Sequence, residues 1–211
     1  MELMVFSAVI ASLALVIIGI VVKRLFKRGW FLPWLKGTFS FLFIFAAMLA
    51  VLFAVDMLTY KNSEKGEVIA TLKFDEISSQ EFEVEFVDAN QTRTLLTLLG
   101  DQWQLDARLI ALPWVSVLPS YKLERLSGRY LTLEQEQNAP RSVHSLGARA
   151  PLDTWDWIVK SPWLNIIQAK YGSAAFMPMA DGAIYEVRLY PKGLQAQPVN
   201  ATAKQAIESW Q

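Results

Sequence analysis

Charged residues are missing from two long stretches near the N-terminus and then recur at short intervals to the end of the chain. Residues 3–22, LMVFSAVIASLALVIIGIVV, and residues 38–55, TFSFLFIFAAMLAVLFAV, hold no charge. About 20 apolar residues in a helix cross the hydrocarbon core of a bilayer, and a helix satisfies its own backbone hydrogen bonds there. Both runs are therefore predicted to be membrane-spanning helices. A cleavable signal sequence carries its positive charge before the apolar stretch. Here MELM, with acidic Glu2, precedes the first run and KRLFKR follows it, so the first helix is expected to stay in place.

The connector, residues 23–37, contains Lys23, Arg24, Lys27, Arg28 and Lys36 and no acid. Basic residues beside spans stay on the cytoplasmic side, which predicts a cytoplasmic loop and periplasmic N- and C-termini. Trp30 and Trp34 alternate with these charges, so Lys23, Arg24, Lys27, Arg28, Trp30 and Trp34 are read as membrane-interface anchors lying in the headgroup layer. Topology control is the expected role, and recognition of anionic lipid the alternative. In the second run Ala46, Ala50 and Ala54 recur every four residues. Such a strip lets another backbone approach closely, and it is expected to face the first helix or a second copy of the chain.

Beyond about residue 58 the period of the pattern changes. Residues 67–74, EVIATLKF, and 81–87, EFEVEFV, read as strands, the second alternating at period two as a sheet with one wet face does. DANQ, 88–91, is a turn into TRTLLTLLG, 92–100. In GDQWQLDARLI, 100–110, the odd positions hold Trp103, Leu105, Ala107 and Leu109, and the even ones Gln102, Gln104, Asp106 and Arg108. Alternate side chains of a strand point to opposite faces, which assigns the odd set to the core and the even set to water, with Asp106 and Arg108 as a surface ion pair.

The segment 109–121, LIALPWVSVLPSY, between Pro113 and Pro119, is either a buried connection or a lip toward lipid or a partner. In 121–137, YKLERLSGRYLTLEQEQ, Tyr121, Leu123 and Leu126 are assigned inward, SGR to a turn or bulge and YLTLEQE to further strand. Lys122, Glu124, Arg125 and Arg129 then form a mixed-charge exposed face. Residues 151–173 read as the main helical segment, capped by Asp153 or Thr154, with Leu152, Trp155, Ile158 and Val159 on its buried stripe and a break at Pro162. Trp155, Trp157 and Trp163 cannot all face one way, which leaves Trp157 and Trp163, with Trp114, as a candidate partner surface. Residues 174–193 suggest a hairpin turning at Asp181 and Gly182 with positive φ angles, and 201–211 a short helix. The predicted fold class is α+β: an N-terminal transmembrane helical hairpin, 1–58, followed by a β-rich extracytoplasmic domain, 59–211, with one main helical segment.

Composition narrows the chemistry. Of 211 residues 53% are hydrophobic, as two spans require. Lys and Arg total 20, as do Asp and Glu. Five of those bases lie in the connector and one acid, Glu2, precedes it, so the remainder carries about −4 and offers no basic face to nucleic acid. No cysteine is present, which excludes disulfides, thiolate metal sites and cysteine nucleophiles. The only histidine, His144, has Ser142 and Ser145 beside it but no G-x-S-x-G turn, and one histidine cannot supply a His-based zinc triad. It is read as a solvated loop residue, with no catalytic, cofactor-binding or metal-ligating residue assigned. An enzyme acting on an envelope polymer or lipid remains the alternative, and it requires carboxylates such as Asp101 and Asp181 to meet in one cleft.

The stretches GDQWQLDAR (100–108), YKLERLSGRY (121–130) and YGSAAFMPMADGAIYEV (171–187), behind an apolar hairpin, resemble a family of uncharacterised two-span inner-membrane proteins of Pseudomonas and related gammaproteobacteria. Its members are often labelled cation or multidrug efflux pumps. The resemblance implies an inner-membrane location and carries no catalytic residue. Proton-coupled export needs an ionisable residue at membrane depth, and neither span contains one. The expectation is a non-catalytic membrane protein in contact with membrane lipid, whose periplasmic domain binds or scaffolds other envelope membrane proteins or itself; an efflux component is the lesser reading.

Overall fold

The computed structural model describes residues 2–25, 29–112, 114, 118–147, 151–161, 167–174 and 176–210. The chain divides into two compact units, Met1–Leu52 and Phe53–Gln211. In the first, helix α1 spans Glu2–Leu25, with Lys23 and Arg24 in its last turn, where positive charge complements the helix dipole. Helix α2 spans Phe31–Met57, so its final turns, from Phe53 on, belong to the second unit. It is long and apolar enough to cross a membrane, and its apolar window is unburied among the described residues.

Helix α2 starts seven residues before its uncharged run, at Phe31, so Trp34 and Lys36 are helical rather than part of a loop. Pro33 permits this because it sits in the first turn, where no intrahelical N–H partner is lost. Trp30 and Trp34 pack with ring centroids 5.9 Å apart. The hydroxyls of Thr38 and Ser40 donate to the carbonyls of Trp34 and Lys36 at 3.0 and 2.8 Å, which removes two polar groups from solvent demand.

The second unit is a sheet-rich α+β domain. One sheet has the order β10-β9-β1-β2-β3, built from β1 (Val68–Ser78), β2 (Glu81–Asp88), β3 (Arg93–Leu99), β9 (Ile184–Tyr190) and β10 (Gly193–Pro198). The other has the order β6-β5-β4-β7, from β4 (Gln102–Ala111), β5 (Ser120–Arg129), β6 (Val143–Ser145) and β7 (Gln168–Ser173), with β8 (Met177–Pro178) also on β4. Three short helices complete it: α3 (Leu133–Asn138), α4 (Trp155–Lys160) and α5 (Ala201–Glu208). The sheets share one core. Trp103 of β4 meets Tyr185 of β9 at 5.4 Å and Phe74 of β1 at 5.8 Å, and Leu72, Val84, Leu105, Leu126 and Leu189 are fully buried around them.

The odd positions of β4 go inward as expected, with Trp103, Leu105 and Ala107 wholly buried and Leu109 nearly so. Gly100, at φ +125°, turns the chain from one sheet to the other. SGR is neither turn nor bulge but continuous strand, with Gly128 where any Cβ would overlap the Leu99 carbonyl. The register break lies instead at Glu124, since Asp106 faces Arg125 while Ala107 faces Leu123.

Other expectations change for identifiable reasons. YLTLEQE turns into α3 because Thr132 accepts from the Gln135 amide, a T-x-x-Q capping box that ends the strand. The 151–173 helix shrinks to α4, and QAKYGS becomes β7 because β4 offers it an open edge. Pro162 and Trp163 lie outside the described residues. Residues 174–193 are not one hairpin: β8 and β9 join different sheets, and of Asp181 and Gly182 only Gly182 takes a positive φ, +72°. The actual hairpin is β9–β10, and α5 forms as expected with Asn200 as its cap.

Candidate functional site

The even face of β4, expected to meet water, is covered. Gln102 and Asp106 are buried, Arg108 keeps only 15% of its side chain exposed, and Ile110 packs with Trp155 and Ile158 of α4 and with Phe53, Met57 and Tyr60. Asp106 and Arg108 do not pair with each other. Asp106 accepts from Gln104 at 2.6 Å, Ser173 at 2.6 Å and Arg125 at 2.5 Å. Arg108 donates through one nitrogen to both oxygens of Asp153 at 2.8 Å and through another to Glu124 at 2.9 Å, and its guanidinium lies 5.4 Å over the Trp155 ring. This bifurcated, charge-assisted contact ties the residue two before α4 to the strand.

Asp56 completes this face and was not singled out from the sequence. It occupies the last turn of α2 and is 1% exposed. One carboxylate oxygen accepts from the Thr154 amide at 2.9 Å and the Thr154 hydroxyl at 2.5 Å. The other lies 3.6 Å from the Lys122 ammonium, has no hydrogen-bond partner, and faces a lysine that is itself nine-tenths buried. Lys122 also lies 5.6 Å over the Tyr60 ring. A carboxylate at a helix C-terminus opposes the dipole, so these donors offset both burial and position. Thr154 sits at the N-cap of α4 but directs its hydroxyl to Asp56, while Asp153 accepts from the Trp155 amide at 3.1 Å. Lys122 is therefore interior, against the expectation of an exposed mixed-charge face; Arg125 is half-exposed and Arg129 lies 4.4 Å over the Phe176 ring.

Burial, then the charge of Asp56, pushes the Tyr60 hydroxyl up, and Arg108 only partly opposes them, so it stays neutral at physiological pH. Burial raises Asp153, but the Arg108 and Trp155 hydrogen bonds outweigh it and keep the carboxyl below its usual range.

Beside this face lies a groove of about 390 Å³, within the range of ligand sites. Phe86, Leu96 and Tyr121 supply its apolar lining, and Lys61, Asp88 and Lys122 its charges. Lys61 and Tyr121 exchange backbone hydrogen bonds at 2.8 Å, which ties the chain leaving α2 to β5. Asp88 accepts from Lys61 at 3.0 Å and from the Asn90 and Thr92 amides; burial acts against these bonds, yet they hold its carboxyl below the usual range.

No family model, curated protein or solved structure matches the chain. Among the described residues no group of three His, Asp or Glu side chains could hold a metal ion. Asp101 accepts from Gln80 and the Leu131 amide and Asp181 from the Glu76 amide, with no bond or ion pair joining the two. His144 is not in a loop but on β6, its Nε2 2.6 Å from the Thr97 carbonyl, while Ser142 binds the Leu99 amide at 2.8 Å. Both tie the edges of the two sheets. Trp114 and Trp157 are 61% and 51% exposed, and Ala46, Ala50 and Ala54 are exposed along α2. Lys27, Arg28, Pro113 and Trp163 lie outside the described residues.

Proposed function

We propose that the protein is a non-catalytic two-span inner-membrane protein whose periplasmic domain binds or scaffolds another envelope component, such as a transport or assembly complex or a second copy of itself. The observation that carries this reading is how buried charge is used. The buried Asp56, Lys122 and Arg108, with the half-exposed Asp153, join α2, β4, β5 and the start of α4 to one another. A catalytic site keeps a perturbed acid or base open to substrate; here the buried acid is engaged by Thr154 and Lys122, and the available recess is a groove of mixed polarity.

The uncharged run 3–22 within α1, Lys23 and Arg24 at its end and the basic connector support reading two spans and a periplasmic domain. The resemblance to the gammaproteobacterial two-span family points the same way. The spans lack an ionisable residue, which argues against intrinsic transport even where that family carries an efflux label.

The reading is tested in intact cells. A reporter after Gln211 should be active only in a periplasm-specific format and one near Gly29 only in a cytoplasmic format; the reverse pattern would overturn the compartment. A photo-crosslinker at Thr94, on the groove, should give a discrete and reproducible adduct that the same probe at exposed Glu83 does not. Correct topology with no groove-specific adduct would overturn the binding role.

A further inference from the structure

Several exposed apolar residues of the domain belong to the end of α2 and to α4, which packs on it. The Trp157 ring of α4 packs edge-on against Phe53 with centroids 6.2 Å apart, yet its indole stays 51% exposed. Phe53 lies inside the uncharged run 38–55, so a residue touching it shares its depth. Val159 on the same helix is 50% exposed, and Leu58, one residue past α2, is 83% exposed. Ile110 packs with Phe53 and Met57, and Trp114 projects, 61% exposed, from the segment just beyond that end of β4. Lys160 and Asp156, paired at 3.0 Å across one turn, put charge on α4 beside these apolar groups.

We propose that α4 is an interfacial element: Trp157, Val159 and Leu58, with Trp114, insert into the headgroup layer of the membrane that α2 crosses. Indole favours this layer because its ring is apolar while its N–H seeks water or a headgroup acceptor. The lipid surface is the occupant because the patch is continuous, through Phe53, with the span itself. The anchoring role read for Trp30 and Trp34 thereby gains a counterpart at the other end of α2. This inference rests on α2 being membrane-spanning, as proposed above.

The absence of cysteine makes site-directed labelling direct. Full-length chains carrying one spin label each, at Trp157→Cys, Val159→Cys, Leu49→Cys in the span and Arg93→Cys on the distant β2–β3 side, are reconstituted in phospholipid vesicles. Accessibility to oxygen, which concentrates in lipid, is compared with that to a water-soluble nickel complex. Labels at 157 and 159 should show oxygen-to-nickel ratios several-fold above that at 93 and below that at 49. If 49 reports lipid while 157 and 159 match 93, or are shielded from both probes by protein, the interfacial seat is wrong and the anchor stands. A water-exposed label at 49 would overturn both. Val159, half-exposed and outside the ring contact of Trp157, keeps the test decisive if Trp157→Cys folds poorly.

Discussion

The two faces of β4 are formed by alternate residues of one strand, yet they are buried by different means. The odd face, Trp103 to Leu109, enters a core in which each side chain meets apolar neighbours from the opposite sheet. The even face runs from Gln102 through Asp106 and Arg108 to Ile110 and is covered by polar contacts that give way to apolar ones at the end of α2 and α4. Apolar burial is non-directional and scales with area. Polar burial is favourable only when each group finds a partner. The first face therefore tolerates approximate packing, while the second depends on a few residues far apart in sequence.

The largest effect expected from breaking this comparison is on the odd face. Trp103→Ala removes a wholly buried indole and should destabilise the domain by about 3–5 kcal/mol in denaturant titration of the full-length protein in detergent. A loss within about 0.5 kcal/mol would mean that the strand is inverted. On the even face, Asp106→Asn should cost about 1–3 kcal/mol, because a carboxamide cannot accept from Gln104, Ser173 and Arg125 at once. Had that face been wet, the same change would stay within about 0.5 kcal/mol. Equal losses at the two positions would remove the distinction between the faces.

These contrasts mark what the sequence could and could not reveal. The odd set of β4, the acid–apolar alternation of β2 and the helix α5 were legible because period and burial coincide within a few residues. TLEQ at 132–135 carried a readable cap that outweighs the alternation around it. The even face was not legible: Asp56 reaches Thr154 across 98 positions, and no local pattern distinguishes a polar residue facing water from one facing a distant partner. For the same reason Lys122 read as surface, and the QAKYGS segment read as helix until β4 supplied it with an edge.

Proton titration should separate the faces more gently. Burial pushes Tyr185, against Trp103 on the odd side, up to about 12. Its folded value exceeds the unfolded 10.0, so this contribution is fully present below pH 10 and is lost as pH rises toward 12. Asp153, bound to Arg108 on the even side, has a depressed value; its contribution is present above the unfolded carboxylate value of about 3.9 and is lost as pH falls through the folded one. Thermal melts between pH 2 and 12 should thus lose stability at both ends, with Asp153→Asn flattening only the acid limb and Tyr185→Phe only the alkaline limb. A variant that flattens the opposite limb would contradict the assignment.

The central claim is that the last turn of α2 is bound into the even face of the sheet through a buried charge. A double-mutant cycle on Asp56 and Lys122 in the full-length protein tests it most directly. Asp56→Ala alone should cost about 3–5 kcal/mol, since it leaves Lys122 buried without its counter-charge and Thr154 without its acceptor. Combined with Lys122→Met, it should cost less than the two single losses added together, with a coupling of about 1 kcal/mol or more. Strictly additive losses would contradict the account, because they would mean that the two charges do not meet.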